Sequence, residues 1–214
     1  IADRAALCNL CVEAGAKTGL CEVDEMTLSY LKEQGREPLA VLNPDADADY
    51  EEVFEIDLSE IRPIVAKPHF VDNVVPAEEC NGIPIDEAFL GSCNNGRIED
   101  LRVGAELLRG RKVADSVRFL VVPASRAVYE EALREGLLKI FMDAGAIVMN
   151  PNCSVCWGSC QGVIGEGETL ISTGTRNFKG RSGHKDSYVY LASAATVTAS
   201  AVKGVICTAE SLTK

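Results

Sequence analysis

Asp86-Glu87-Ala88-Phe89-Leu90-Gly91-Ser92-Cys93-Asn94-Asn95-Gly96-Arg97 is the stretch from which the fold can be read. Residues 86–91 read as a short strand that runs into a turn-forming segment ending at Gly96. Residues 97–108 then place Ile98, Leu101, Ala105 and Leu108 on one side, the spacing of an amphipathic helix. Glu99 and Asp100 lie in its first turn, and Arg109, Arg111 and Lys112 at its end, as the helix dipole favours. Working outward, residues 118–122 predict a buried strand. Ser125 predicts the cap of a helix that Gly136 interrupts and residues 137–144 resume. Residues 146–149 predict a third strand. This β-α-β-α-β order predicts an α/β fold with a parallel, doubly wound sheet and right-handed crossovers.

In such sheets ligands bind beyond the carboxyl ends of the strands. Cys93 lies just past one predicted strand. Cys153 and Cys156, in Asn150-Pro151-Asn152-Cys153-Ser154-Val155-Cys156-Trp157-Gly158, lie just past another. One cysteine plus a distant Cys-x-x-Cys supplies three thiolates. On a 4Fe–4S cubane, three thiolates leave one iron open, and an open iron is a Lewis acid able to hold a substrate hydroxyl. A redox dithiol and chance packing are the other readings of the Cys-x-x-Cys pair. Cys160 is close enough in sequence to act as a fourth ligand, which would make an electron-transfer module instead.

Upstream, residues 2–13 and 24–34 predict helices, with Gly15 ending the first and Asp24 capping the second. Residues 43–50 are acidic and turn-rich, an exposed loop. Residues 52–58 alternate as a strand would, through Val53, Phe54, Ile56 and Leu58. Residues 61–84 carry Pro63, Pro68, Pro76 and Pro84 and are expected to connect two lobes, with a short strand possible over 64–67. The organisation expected is therefore a partial α/β lobe over 1–60, a connector over 61–84 and an α/β lobe with the cysteines over 85–214.

The net charge of −11 disfavours nucleic acid as a partner, because phosphates require a basic face. No apolar run approaches the length of a membrane span. The first residues, Ile1-Ala2-Asp3-Arg4, lack the marks of a secretory signal and an initiator Met, so a cytoplasmic and trimmed or partial chain is expected. Nine cysteines without an export signal are expected to be core fillers or metal ligands rather than a disulfide framework, with Cys21, Cys80 and Cys207 as fillers or bystanders.

Three further constellations bear on chemistry. Cys8-x-x-Cys11 forms a second pair, so four thiols with Cys153 and Cys156 could serve a structural zinc, although a helix lacks the tight loop such pairs use. Asn9 and Glu13, four residues apart, share one helix face and can touch a substrate hydroxyl or an iron-bound water. Thr175-Arg176-Asn177-Phe178-Lys179-Gly180-Arg181 gathers three cations. Gly180 and Gly183 permit sharp turns that bring Arg176 and Arg181 to one anion. The glycines of 162–167 lack phosphate-loop spacing, and His69 and His184 read as surface or structural residues.

These motifs together resemble the aconitase superfamily, in particular the large subunits of 3-isopropylmalate dehydratase and homoaconitase. The resemblance rests on Gly91-Ser92-Cys93-x-Asn95, on Cys153-x-x-Cys156 after Asn-Pro, on the arginine segment 176–181 followed by Tyr190-Leu191-Ala192-Ser193, and on Cys8-Asn9-x-x-x-Glu13-x-Gly15-Ala16. It covers nearly the whole chain but only the second half of such a subunit. It implies that Cys93, Cys153 and Cys156 ligate a 4Fe–4S cluster and that Arg176 and Arg181 hold substrate carboxylates. It implies that Glu13 and Asn9 contact the hydroxyl or water, and that Asn95 supports the cluster or substrate. The implied reaction is isomerisation of a hydroxy di- or tricarboxylate by loss and readdition of water, with 3-isopropylmalate the leading substrate. A homoaconitase and a methyl- or dimethylmalate dehydratase are the alternatives. The resemblance also implies a separate small subunit carrying a swivelling domain with the catalytic base, without which this segment is inactive.

Overall fold

The computed structural model describes residues 1–212. It divides into two compact units, Ile1–Ile61 and Arg62–Lys214.

In the first unit α1 (Ala2–Leu10) tightens into a 3-10 turn (Cys11–Ala14) that Gly15 ends in the left-handed conformation, at φ 86°. Asp24 caps α2 (Glu25–Glu33), its carboxylate accepting the Thr27 N–H at 3.0 Å. Neither helix contributes a buried residue. The strand expected over 52–58 does not form: Val53, Phe54, Ile56 and Leu58 are 71–77 % exposed, and Leu58–Glu60 is a 3-10 turn. Alternation makes a strand only where a neighbour can pair with it, and no strand lies within residues 1–61.

The second unit is a seven-stranded sheet. Its strands are β1 (Ile64–Ala66), β2 (Val74–Pro76), β3 (Glu87–Leu90), β4 (Arg118–Val121), β5 (Ile147–Val148), β6 (Thr169–Ser172) and β7 (Tyr188–Leu191), in the order β2-β1-β7-β6-β3-β4-β5. The five strands from β7 to β5 are parallel, and β1 is antiparallel to both its neighbours. Residues 61–84, expected as a connector, thus supply two strands at the sheet edge. The prolines flank or finish these strands: Pro63 precedes β1 and Pro76 closes β2, the outermost strand, where a missing N–H breaks no ladder.

Winding runs from β3 to β4 to β5, then returns to β6 and β7 on the far side of β3. The switch point therefore lies between β3 and β6. Strand residues alternate between two cores. Ala88, Leu90, Phe119, Val121 and Ile171 pack with α3 (Ile98–Leu108), α5 (Leu137–Ala144) and α6 (Ala194–Lys203). Phe89, Leu120, Val122, Leu170 and Val189 face the other way. That face is covered by Met149, Val155 and Ile164 from the loop that carries Cys153 and Cys156. The predicted break at Gly136, between α4 (Arg126–Arg134) and α5, is present, with Gly136 left-handed at φ 75° and Ser125 accepting from the Val128 N–H. Helix α6 and strands β6 and β7 were not among the predicted elements. Helix α6 buries Ala194, Thr196, Val197, Thr198, Ala199, Ser200 and Ala201, so it shows no polar face to mark its period. Among the described residues no helix is long and apolar enough to cross a membrane.

Beside Phe89, on the loop-covered face, Glu87 is fully buried. Arg118, its register partner on β4, donates to Glu87 Oε2 at 3.0 Å and also holds Glu168 through two bonds of 2.8 and 3.0 Å. Among the described residues Glu87 Oε1 has no hydrogen-bond partner. A Cβ on Gly162 would stand 3.5 Å from it, so the cysteine loop closes directly over this carboxyl. Burial, opposed by Arg118, pushes Glu87 up to about 7 from 4.5. Its contribution to stability is therefore complete below pH 4.5 and is lost as pH rises through about 7. Glu87→Gln removes this titration. Urea unfolding at stepped pH should show the wild-type chain losing about 3 kcal/mol relative to the variant between about pH 4.5 and 8.

Candidate metal centre

The carboxyl ends of β3 and β6 meet at a hydroxyl. Thr173, directly after β6, donates through Oγ1 to the Gly91 carbonyl at 2.9 Å and accepts the Gly91 N–H at 2.9 Å. Asn95 returns the contact, its Nδ2 donating to the Thr173 carbonyl at 2.5 Å. Between these anchors the chain turns sharply. Ser92 is left-handed at φ 86°, and its carbonyl and hydroxyl accept the N–H groups of Gly96 and Asn95. Gly91 and Gly96 are required by contact: a Cβ on either would come within 2.9 Å of Val122. The result is a tight loop on β4 that leaves Cys93 exposed at its tip.

Cys153 and Cys156 are set by a second tight element. Asn152 accepts the Ser154 N–H at 2.5 Å, opening a 3-10 turn over Ser154–Cys156. The Cys156 N–H donates to the Cys153 carbonyl at 3.0 Å, which folds the two cysteines into one turn, while Ser154 and Val155 are buried. Ser154, left-handed at φ 43°, donates to the Gln161 carbonyl at 2.7 Å and so closes the base of the loop.

The arginine segment packs against this turn. Arg181 Nε donates to the Cys156 carbonyl at 3.1 Å, and its guanidinium lies 5.7 Å from the Trp157 ring centre. Gly158, at φ 72°, approaches so closely that a Cβ there would lie 2.1 Å from the Arg181 carbonyl oxygen. Asn177 is fully buried and donates to the Lys67 carbonyl at 2.9 Å, tying the segment to the loop after β1. Arg176, next to it, is half-buried.

Of the three thiols Cys156 is half-buried, whereas Cys93 and Cys153 are exposed. Burial pushes the Cys156 thiol up. The Arg181 charge and the Thr175 N–H oppose that shift, and the Cys93 and Cys153 thiols add to it. Cys156 thus responds to both other cysteines and to the arginine. All nine cysteines are free thiols. Among the described residues no three His, Cys, Asp or Glu side chains close round a single metal ion. Asn9, exposed, and Glu13, half-buried, belong to the first unit, on α1 and its 3-10 extension. Sequence reading did not single out Thr173, Ser154 or Asn177. A Ser-Thr-Gly-Thr run after a strand carries no period, and their roles arise from contacts across up to 110 residues.

The chain belongs to the aconitase family, described as aconitate hydratase, whose model matches residues 1–82 and 76–204. It is 52 % identical, over 96 % of its length, to a probable 3-isopropylmalate dehydratase large subunit of Methanothermobacter thermautotrophicus. It is 50 % identical, over 96 %, to 3-isopropylmalate dehydratase large subunit 1 of Methanopyrus kandleri, and 48 % identical, over 98 %, to the large subunit of Caldicellulosiruptor saccharolyticus. The chain spans about half the length of these relatives, 49 % of each.

Thr173→Val keeps the side-chain shape and removes the hydroxyl, leaving the buried Gly91 groups without that partner. The variant should unfold at lower urea by about 1–3 kcal/mol. Hydrogen exchange should rise at residues 91–96 more than at β4.

Proposed function

We propose that this chain is the cluster-bearing half of a 3-isopropylmalate dehydratase large subunit, acting in the cytoplasm with a separate small subunit. The carrying observation is that Cys93 and the Cys153–Cys156 pair follow β3 and β5 at the carboxyl edge of one parallel sheet, with Arg181 hydrogen-bonded to the Cys156 carbonyl. Half-identity to proteins named for that dehydratase supports the substrate.

Cys93, Cys153 and Cys156 would hold a 4Fe–4S cluster. The donor set fits: three soft sulfur ligands on two rigid turns, with a cation and an N–H beside the most buried one to favour its deprotonation. When bound, the cluster supplies a Lewis acid at the iron without a protein ligand, which lowers the barrier to loss of hydroxide. The remaining roles belong to the chain's own groups. Arg176 and Arg181 bind and orient the substrate carboxylates, and their charge offsets the negative charge that develops as the α-proton leaves. The Nε–H of Arg181 is anchored on the Cys156 carbonyl, so its fork is oriented before substrate arrives. Asn95 holds the Cys93 loop to Thr173. Asn9 and Glu13 contact the departing hydroxyl or the returning water. The base that takes the α-proton comes from the small subunit.

The test uses the full-length large subunit with its small subunit, reconstituted anaerobically with iron and sulfide. Isopropylmaleate should be hydrated with kcat/KM about 10²-fold above homoaconitate and citraconate. Cys93→Ser, Cys153→Ser and Cys156→Ser should each lose bound iron and activity together, whereas Cys160→Ser keeps both. Iron retained in Cys93→Ser with lost iron in Cys160→Ser would sink the assignment. Arg181→Ala should keep its iron and lower kcat/KM by about 10²-fold, the scale of removing one member of a buried charged pair.

A further inference from the structure

Three side chains of α1 and its extension line up along one face: Arg4, Cys8 and Cys11, spaced four and three residues apart. The extended segment Gly19–Asp24 runs back along that face and meets each of them. At its far end Arg4 forms two bonds to the Asp24 carboxylate, of 2.8 and 2.6 Å, and a third to the Thr27 hydroxyl at 2.9 Å. At its near end Gly19 presses on the helix: a Cβ there would lie 2.7 Å from Cys11 Sγ and 2.8 Å from the Cys8 Cα. Between these two fixed points Cys21 faces Cys8, with the sulfurs 3.6 Å apart and both side chains half-buried.

A disulfide has a sulfur separation of about 2.05 Å, so the two sulfurs need approach by only about 1.5 Å to bond. We infer that Cys8 and Cys21 are a thiol–disulfide site that closes a covalent loop around Asn9 and Glu13. None of the chemistry assigned to Cys93, Cys153 and Cys156 uses this pair.

The co-reactant is a small-molecule disulfide of the glutathione class. One thiolate of the pair attacks one sulfur of that disulfide, forming a mixed disulfide and releasing one small thiolate. The other thiol, after giving up its proton, attacks the protein sulfur of the mixed disulfide and releases the second. The balance is two protein thiols and one small disulfide giving one protein disulfide and two small thiols, with both protons carried by the released thiols. The Cys21 sulfur, and then burial, push the Cys8 thiol up. Reduction by an excess of small thiol reverses both steps.

The experiment takes the full-length protein, reduced anaerobically and then exposed to glutathione disulfide, with free thiols alkylated and peptides mapped by mass spectrometry. The expected product is a Cys8–Cys21 linked peptide, two hydrogens lighter than the sum of its parts. It should be absent in Cys8→Ser and Cys21→Ser, retained in Cys11→Ser, and removed by dithiothreitol. Stable glutathione adducts on Cys8 or Cys21 without a cross-link, or a cross-link through Cys11 in the wild-type chain, would overturn the inference. The mapping reads no iron and no turnover, so its failure is distinct from failure of the dehydratase assignment.

Discussion

One threonine hydroxyl joins the two halves of the winding. Thr173 both gives to and takes from Gly91 and receives the Asn95 amide, so the ends of β3 and β6 are locked where the sheet reverses direction. Everything placed at that edge inherits its position from this lock. The Cys93 loop can be strained, with Ser92 left-handed, because its two flanks are held by buried hydrogen bonds. Ser154, the other non-glycine residue in that conformation, sits beside Cys153. A conformation that costs about 1–3 kcal/mol at each of two cysteine turns is tolerated because the surrounding contacts over-determine it.

The loop that carries Cys153 and Cys156 also serves the fold. Met149, Val155 and Ile164 pack on the sheet face opposite α3, α5 and α6, so the cysteine turn is part of a core rather than an appendage. Its floor includes the buried Glu87 carboxyl, held from β4 by Arg118 and approached by Gly162. Cys156, the most buried of the three candidate ligands, and the buried carboxyl belong to the same layer, and each has one arginine as counter-charge. The loop's packing and the ionisation of the groups under it are therefore linked.

The first unit is organised differently. It contributes no buried residue from either helix and relies on specific polar contacts, above all Arg4 with Asp24 and Thr27. A surface ion pair is a weak source of stability, but two bonds from one guanidinium set direction well. Here they direct an extended segment along α1, bringing two thiols into contact. The apolar run at 53–58 has no strand to pair with inside this unit, which is why a clear alternating pattern fails to become a strand.

The sequence by itself determined the elements whose signals are local. These are the strand–turn–helix at 86–108, the Ser125 cap and Gly136 break, the Asp24 cap, and the cysteine motifs with their place past strand ends. Local signals suffice where periodicity, a capping side chain or a left-handed glycine acts within a few residues. Tertiary structure alone decided that the proline-rich segment joins the sheet and that a largely buried helix follows residue 193. It also decided that Thr173, Ser154 and Asn177 hold the site, and that Cys8 faces Cys21. Apart from Ser154, whose bond reaches only to Gln161, the deciding contact is to residues distant in sequence or to a packed face with no polar side. Such contacts leave no trace in spacing, because burial on all sides erases the pattern by which a sequence is read.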